Sequence, residues 1–163
     1  PEPDAERADQ RRGEPEVLAE QDLHARDRLG EQIEQGAQEL DLAVSFLSPV
    51  TDHASSDDCG VSILGEESQA FWKDQKGARM NAIRTRTLIE RSDVVVVRFG
   101  DKYRQWNAAF DAGYAAALNK PLVTLHDESL THALKEVDGA ALAVTSTPAQ
   151  VVQVLRYAIN GQL

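Results

Sequence analysis

A chain of 163 residues suits one domain with one covered core. Its net charge of −10 excludes sequence-independent nucleic-acid binding, which needs a basic face. No stretch approaches the ~18 consecutive apolar residues of a membrane-spanning helix, and the single cysteine, Cys59, leaves no internal disulfide, so a cytoplasmic setting with no membrane partner is expected.

Residues Pro1 to Gly30 are dominated by Glu, Asp, Arg, Gln and Ala, with prolines at positions 1, 3 and 15. Such a segment buries too little surface to offset its ordering entropy. Pro1 to Pro15 are therefore expected to be disordered, and residues 1–30 to form an atypical leader ahead of a domain spanning 31–163. Helix formers prevail from Glu16 to Leu40, and Leu29, Ile33, Ala37 and Leu40 recur at helical spacing. The latter half of that stretch predicts an amphipathic helix.

Leu42 to Leu47 reads as a strand stopped by Pro49, followed by a polar loop from Thr51 to Gly60. Ser68 to Arg91 carries a long helical signal, with Gly77 as a point of interruption. Asp93 to Arg98 encloses four consecutive valines, the pattern of a strand buried on both faces of a parallel sheet. Asn107 to Leu118 predicts a helix stopped by Asn119-Lys120-Pro121, and Leu122 to Leu125 a strand. Ser129 to Val137 predicts a short helix, Ala141 to Thr145 a strand, and Pro148 to Ile159 a last helix with Thr147 as N-cap and Pro148 at its first position.

Strands with continuous apolar runs, alternating with helices, point to an α/β fold: a doubly wound, flavodoxin- or Rossmann-like parallel sheet of about five strands with helices on both faces. Ligands in such folds bind beyond the carboxyl ends of the strands, here the loops after Leu47, Arg98 and Leu125.

The segment Phe99-Gly100-Asp101-Lys102-Tyr103-Arg104-Gln105-Trp106-Asn107-Ala108-Ala109-Phe110-Asp111-Ala112-Gly113-Tyr114-Ala115 starts at that edge. Its helix is apolar nearly all round, which implies burial. A carboxylate at Asp111 in that setting is costly unless paired or used, although a place near the helix N-terminus offsets part of the cost. The alternative is an Asp111 that faces solvent or caps a loop donor.

The string Asn-Ala-Ala-Phe-Asp-Ala-Gly-Tyr-Ala from Asn107, continued by Ala-Ala-Leu-Asn-Lys-Pro-Leu, resembles the Gly-Thr-Ala-Phe-Glu-Ile-Gly-Tyr-Ala…Lys-Pro signature of nucleoside 2-deoxyribosyltransferases. From about Gln32 to Tyr157 the chain is similar to the YtoQ family, a branch of that superfamily. Ser48-Pro49-Val50-Thr51-Asp52-His53, Phe71-Trp72-Lys73-Asp74, Asn81-Ala82-Ile83-Arg84-Thr85-Arg86-Thr87 and Thr124-Leu125-His126-Asp127 carry the resemblance. It implies that Asp111 stands where the transferases have a nucleophilic glutamate, which attacks C1′ of a nucleoside and leaves a glycosyl ester. Asp101, on the loop before the helix, is the candidate for positioning or for protonating the leaving base.

Two departures bear on that role. Aspartate is one methylene shorter than glutamate, and a misplacement of ~1 Å costs about 10²-fold in rate. Asn107 and Ala108 replace the family's Gly-Thr, which removes a hydroxyl and adds bulk beside the ligand. Asp111 therefore either attacks carbon or binds a sugar hydroxyl.

Gly100, Asn107 and Tyr114 share the ligand segment, and Tyr103 and Trp106 are candidates for stacking on a base. Phe71 and Trp72, at helical spacing, read as core anchors. Asp52 and His53 suit the rim of the pocket, and Arg84 suits an anionic group or a solvated face. The Asp52-His53…Asp57-Asp58-Cys59 spacing matches no standard zinc or calcium pattern, so neither metal nor cofactor is expected. His126 and Asp127 end a strand at the ligand edge without a specific signal. Cys59 has no activating partner in sequence and reads as structural.

Relatives open with an apolar strand, roughly Val-Tyr-Leu-Ala-Gly-Glu-Ile-His, where this chain has Val17 to Asp27 with only an Asp22-Leu23-His24 echo. In a 2-1-3-4-5 order that strand is central, so its loss leaves a gap in the sheet. The leader accordingly reads as a misread start or shifted frame. Three functions compete: an enzyme acting on the N-glycosidic bond of a nucleoside or nucleotide, a non-catalytic nucleotide-binding module, and a scaffold. The resemblance further implies a homo-oligomer.

Overall fold

The computed structural model describes residues 16–20, 26–49, 53–100 and 106–161. In chain order these form β1 (Glu16–Glu20), α1 (Arg26–Glu39), β2 (Ser45–Leu47), α2 (His53–Leu64), α3 (Ala70–Arg91), β3 (Val94–Phe99), α4 (Trp106–Ala117), β4 (Leu122–His126), a 3₁₀ turn (Glu128–Leu130), α5 (Thr131–Ala140), β5 (Ala143–Thr145) and α6 (Pro148–Asn160). The strands form one sheet in the order β2-β1-β3-β4-β5, and every pairing is parallel.

Residues Glu16–Glu20, assigned by sequence to a leader, fill an interior position between β2 and β3. Val17 pairs with Phe46 on one side and Val94 on the other, and Leu18 with Leu47 and Val95. Ladder bonds come from the backbone, which any non-proline sequence supplies, so a strand without the usual apolar run still closes the sheet. The residues before Glu16, expected to be disordered, lie outside the described ones.

Each face of the sheet carries its own core. On one side Ile33 and Ala37 of α1, Leu42, Val96, Val123, Leu125, and Val151, Val152 and Leu155 of α6 pack together. On the other, Ile89 of α3, Val95, Val97, Phe99, Leu122 and the alanines Ala112 and Ala115 of α4 do so. The valine strand is thus buried on both sides, as its sequence predicts: Val96 faces one core and Val95 and Val97 the other.

The polar stretch expected as a loop is helical instead. Residues 53–64 form α2, which lies along α3, and the two meet where Gly60 and Gly77 allow backbones to touch. Gly77 does not interrupt α3; it is buried within a continuous helix of about 33 Å. Asn81 of α3 donates to the Ser56 carbonyl and hydroxyl, both at 3.0 Å, so groups that favour turns are satisfied inside the helix pair. The Cys59 thiol donates to the Ser56 carbonyl at 3.1 Å, a structural use.

Lys120 of the Asn-Lys-Pro turn reaches across to the end of α3. Its Nζ donates to the carbonyls of Glu90 (2.6 Å) and Ser92 (2.8 Å), two acceptors that the helix end leaves open. Asn119 before it takes the left-handed conformation, at φ 55°, that turns the chain from α4 into β4.

Candidate functional site

Because all strands run parallel, Leu47, Phe99 and His126 end at one edge of the sheet. α4 starts at that edge, six residues after Gly100, which is buried. Its first residue, Trp106, is 71% exposed, and Asn107 is exposed beside it. Asp111 is half-buried, as is Tyr114. Asn107, Asp111 and Tyr114 follow i, i+4, i+7 spacing and so share one stripe of the helix.

That stripe runs beside α3. The Tyr114 hydroxyl donates to Glu90 Oε1 at 2.6 Å, and the Arg86 guanidinium lies over the rings of Phe110 and Tyr114, 5.9 and 5.6 Å from their centroids. The hydrogen bond to Glu90, helped by desolvation and by the carboxylate's charge, raises the Tyr114 pKa above the usual phenolic range. Tyr114, expected at the ligand, therefore uses its hydroxyl to tie α4 to α3. Glu90 has no distinguishing sequence signal beyond helical spacing, whereas Arg86 lies in the Asn81–Thr87 stretch that carries the resemblance.

Arg84 sits exposed on α3. His53 opens α2. Asp52, Asp101 and Tyr103 lie outside the described residues.

Two expectations are corrected. Phe71 and Trp72 are not core anchors: they are 62% and 48% exposed at the start of α3, stacked edge to face with centroids 4.9 Å apart. The two rings pack on each other and belong to neither core. Helix α4 is likewise not buried all round. Its alanines pack on the sheet while Trp106 and Phe110, 58% exposed, face outward.

His126 is buried, at 5% exposure, with both ring nitrogens engaged. Nδ1 lies 2.8 Å from the Asp127 carbonyl oxygen, and Nε2 lies 3.0 and 3.1 Å from the Asp138 carboxylate oxygens. Asp138, which sequence reasoning missed, comes from the last turns of α5, and its spacing from His126 matches no local pattern. Asp127 caps the 3₁₀ turn by accepting from the Ser129 N–H at 2.9 Å, which holds its carboxyl below the usual range.

Among the described residues no three His, Cys, Asp or Glu side chains converge as a metal site would require. A shallow groove of about 500 Å³ between α1 and α6, lined by Gln32, Gln35, Glu39, Pro148 and Val152 among others, lies on the other face of the sheet from α4. Among the same residues no helix is long and apolar enough to cross a membrane.

Three comparisons place the chain among known proteins. Residues 20–159 match the family model described as nucleoside 2-deoxyribosyltransferase YtoQ. The uncharacterized protein YtoQ of Bacillus subtilis (strain 168) is 39% identical over 127 residues, covering 78% of this chain and 86% of that protein. The solved 2-deoxyribosyltransferase of Bacillus psychrosaccharolyticus aligns over 86% of this chain and 95% of its own, with a TM-score of 0.51 and 15% identity. A conserved protein of Enterococcus faecalis V583 aligns over 88% and 98%, with a TM-score of 0.59 and 16% identity. These two share the fold with this chain. A match over that much of the length, together with the Bacillus subtilis relative, makes this chain a member of the nucleoside 2-deoxyribosyltransferase YtoQ family.

Proposed function

We propose that the protein cleaves or exchanges the N-glycosidic bond of a (deoxy)nucleoside or nucleotide, with Asp111 as nucleophile. The carboxylate attacks C1′, the C1′–N bond breaks, and the base departs with a proton from an acid such as Asp101. A second base or water then displaces the glycosyl ester and returns the free carboxylate. Asp52, His53, Arg84, Gly100, Tyr103, Trp106 and Asn107 form the ligand-binding set, with Trp106 offering an open aromatic face to a base and Tyr114 holding α4 against α3.

The observation that carries this reading is the stripe Asn107–Asp111–Tyr114 on a helix that starts at the carboxyl edge of the sheet. One observation favours a second reading, a non-catalytic nucleotide-binding module: aspartate stands where the superfamily signature has glutamate. Chromatography of released and exchanged base from a panel of 2′-deoxynucleosides and their monophosphates separates the two. Turnover abolished by Asp111→Ala supports the enzyme. Ligand-induced stabilisation without turnover, unaffected by Asp111→Ala, selects the module.

The same reading makes the protein a cytoplasmic homo-oligomer. Ile83 at 62% exposure on α3 and Phe110 at 58% under the Arg86 guanidinium leave large apolar side chains on the outer faces of α3 and α4, as an interface between copies would use. Light scattering tests it: a mass above one chain that falls to one chain in Ile83→Glu is the expected result.

A further inference from the structure

Phe99 and His126 are register partners on β3 and β4, and both face the helical layer formed by α3, α4 and α5. Together they form the last row of the sheet before the edge from which α4 departs. The inner face of α4 there is alanine, with Ala108 partly buried and Ala112 and Ala115 fully so. Alanine has no side-chain length to adjust, so the height and tilt at which α4 sits are set by the row beneath it.

The helix-facing side of β4 turns polar towards that row. Thr124 and His126 project on the same side of β4 as Leu122, and both are buried. Asp138 meets them from α5. The Thr124 hydroxyl donates to Asp138 Oδ1 at 2.9 Å, and His126 Nε2 reaches both carboxylate oxygens. Nδ1 lies 2.8 Å from the Asp127 carbonyl oxygen, so the ring is held at both edges.

Asp138 stands near the C-terminal end of α5, where the helix dipole opposes a negative charge. The two donors on β4 are what makes a carboxylate tenable there. An aliphatic pair would fill the same volume at lower cost, but without holding a ring in one orientation. The held ring meets Phe99 edge to face, with centroids 6.5 Å apart.

We propose that Asp138 and His126 are positioning residues: the carboxylate locks the imidazole, the imidazole seats Phe99, and this row fixes where α4 presents Asn107 and Asp111. The proposal rests on the reading of α4 as the ligand helix.

The test is amide hydrogen exchange on the full chain for wild type, Asp138→Asn and Thr124→Val, with steady-state kinetics on whichever nucleoside the wild type turns over. Exchange at Phe99, Gly100 and the first two turns of α4 is expected to quicken about tenfold in both variants, with α1 and α6 unchanged. With such a substrate, kcat is expected to fall roughly tenfold while KM stays nearly constant, because the binding groups remain and the attacking carboxylate is displaced. Acceleration confined to α5, or spread uniformly over the molecule, overturns the proposal. So does an unchanged kcat. Should the wild type turn over no nucleoside, the proposed function fails and the exchange pattern alone decides the positioning role. Should Asp138→Asn fail to fold, Thr124→Val, which removes one hydrogen bond at nearly constant shape, carries the same comparison.

Discussion

Gly60 of α2 and Gly77 of α3 meet backbone to backbone: a Cβ on Gly60 would clash with the Gly77 nitrogen and the Lys76 carbonyl carbon. Because those atoms are main chain, no side-chain rotation relieves the clash, and the two helices must move apart. Gly60→Ala is therefore expected to destabilise the protein by about 1–3 kcal/mol, the usual cost of overpacking. Gly139, in α5, has nothing within 4 Å of an added Cβ. There the substitution to alanine is expected to stabilise by about 0.5–1 kcal/mol through lost backbone freedom in the unfolded chain. Urea unfolding of the two variants measures both; equal and small shifts would mean that the helix pair is not tightly crossed.

The Tyr114–Glu90 bond gives a pH dependence with a definite sign. The hydrogen bond is made by the neutral phenol, and the Tyr114 pKa is raised above its ordinary value of 10.0. Its contribution to stability is thus fully present below that value and is lost as pH rises through the raised folded value. Stability curves for wild type and Tyr114→Phe should lie apart at neutral pH and converge in the alkaline range. Curves that run parallel from pH 8 to 12 would show that the bond does not persist in solution.

Asp127 acts in the opposite direction. The Ser129 backbone N–H, then the Ser129 side chain, hold its carboxyl below the ordinary value of 3.8. The contribution is present above that value and is lost as pH falls through the depressed one. Asp127→Asn should flatten the acid limb of the stability profile below about pH 4. An acid limb identical to wild type would assign that limb to other carboxylates.

What the sequence makes legible is what local pattern encodes. Four valines buried on both faces, the Pro148 start of α6 and the alanine-rich α4 are all visible as runs or periods. The strand at Glu16–Glu20 is not, because its place is set by neighbours on both sides rather than by its own apolar content. Helix α2 is hidden for a related reason: Ser55, Ser56, Asp57 and Asp58 read as turn formers until Gly60 and Asn81 supply a partner helix. Phe71 and Trp72 were misread because helical spacing reveals that two residues share a side, not whether a core lies on it. At the site, the stripe Asn107–Asp111–Tyr114 was visible as a motif. The Asp138–His126 pair was not, since twelve residues and a helix separate its members.

The start of α6 tests how far local capping chemistry alone stabilises this fold. Thr147 has extended backbone angles, and its hydroxyl accepts from the Gln150 N–H at 3.3 Å. In return the Gln150 side-chain oxygen accepts from the N–H groups of Thr147, at 3.2 Å, and Ser146, at 2.7 Å. This reciprocal box, followed by Pro148, satisfies donors that the helix would otherwise leave open. It anchors a helix that buries Val151, Val152 and Leu155 against the sheet. Thr147→Ala is expected to cost about 1 kcal/mol, and Thr147→Ser only a few tenths, because serine retains the accepting oxygen. Thermal unfolding of the two variants beside wild type makes the comparison. Equal losses in both would assign the effect to the threonine methyl and its packing rather than to the cap.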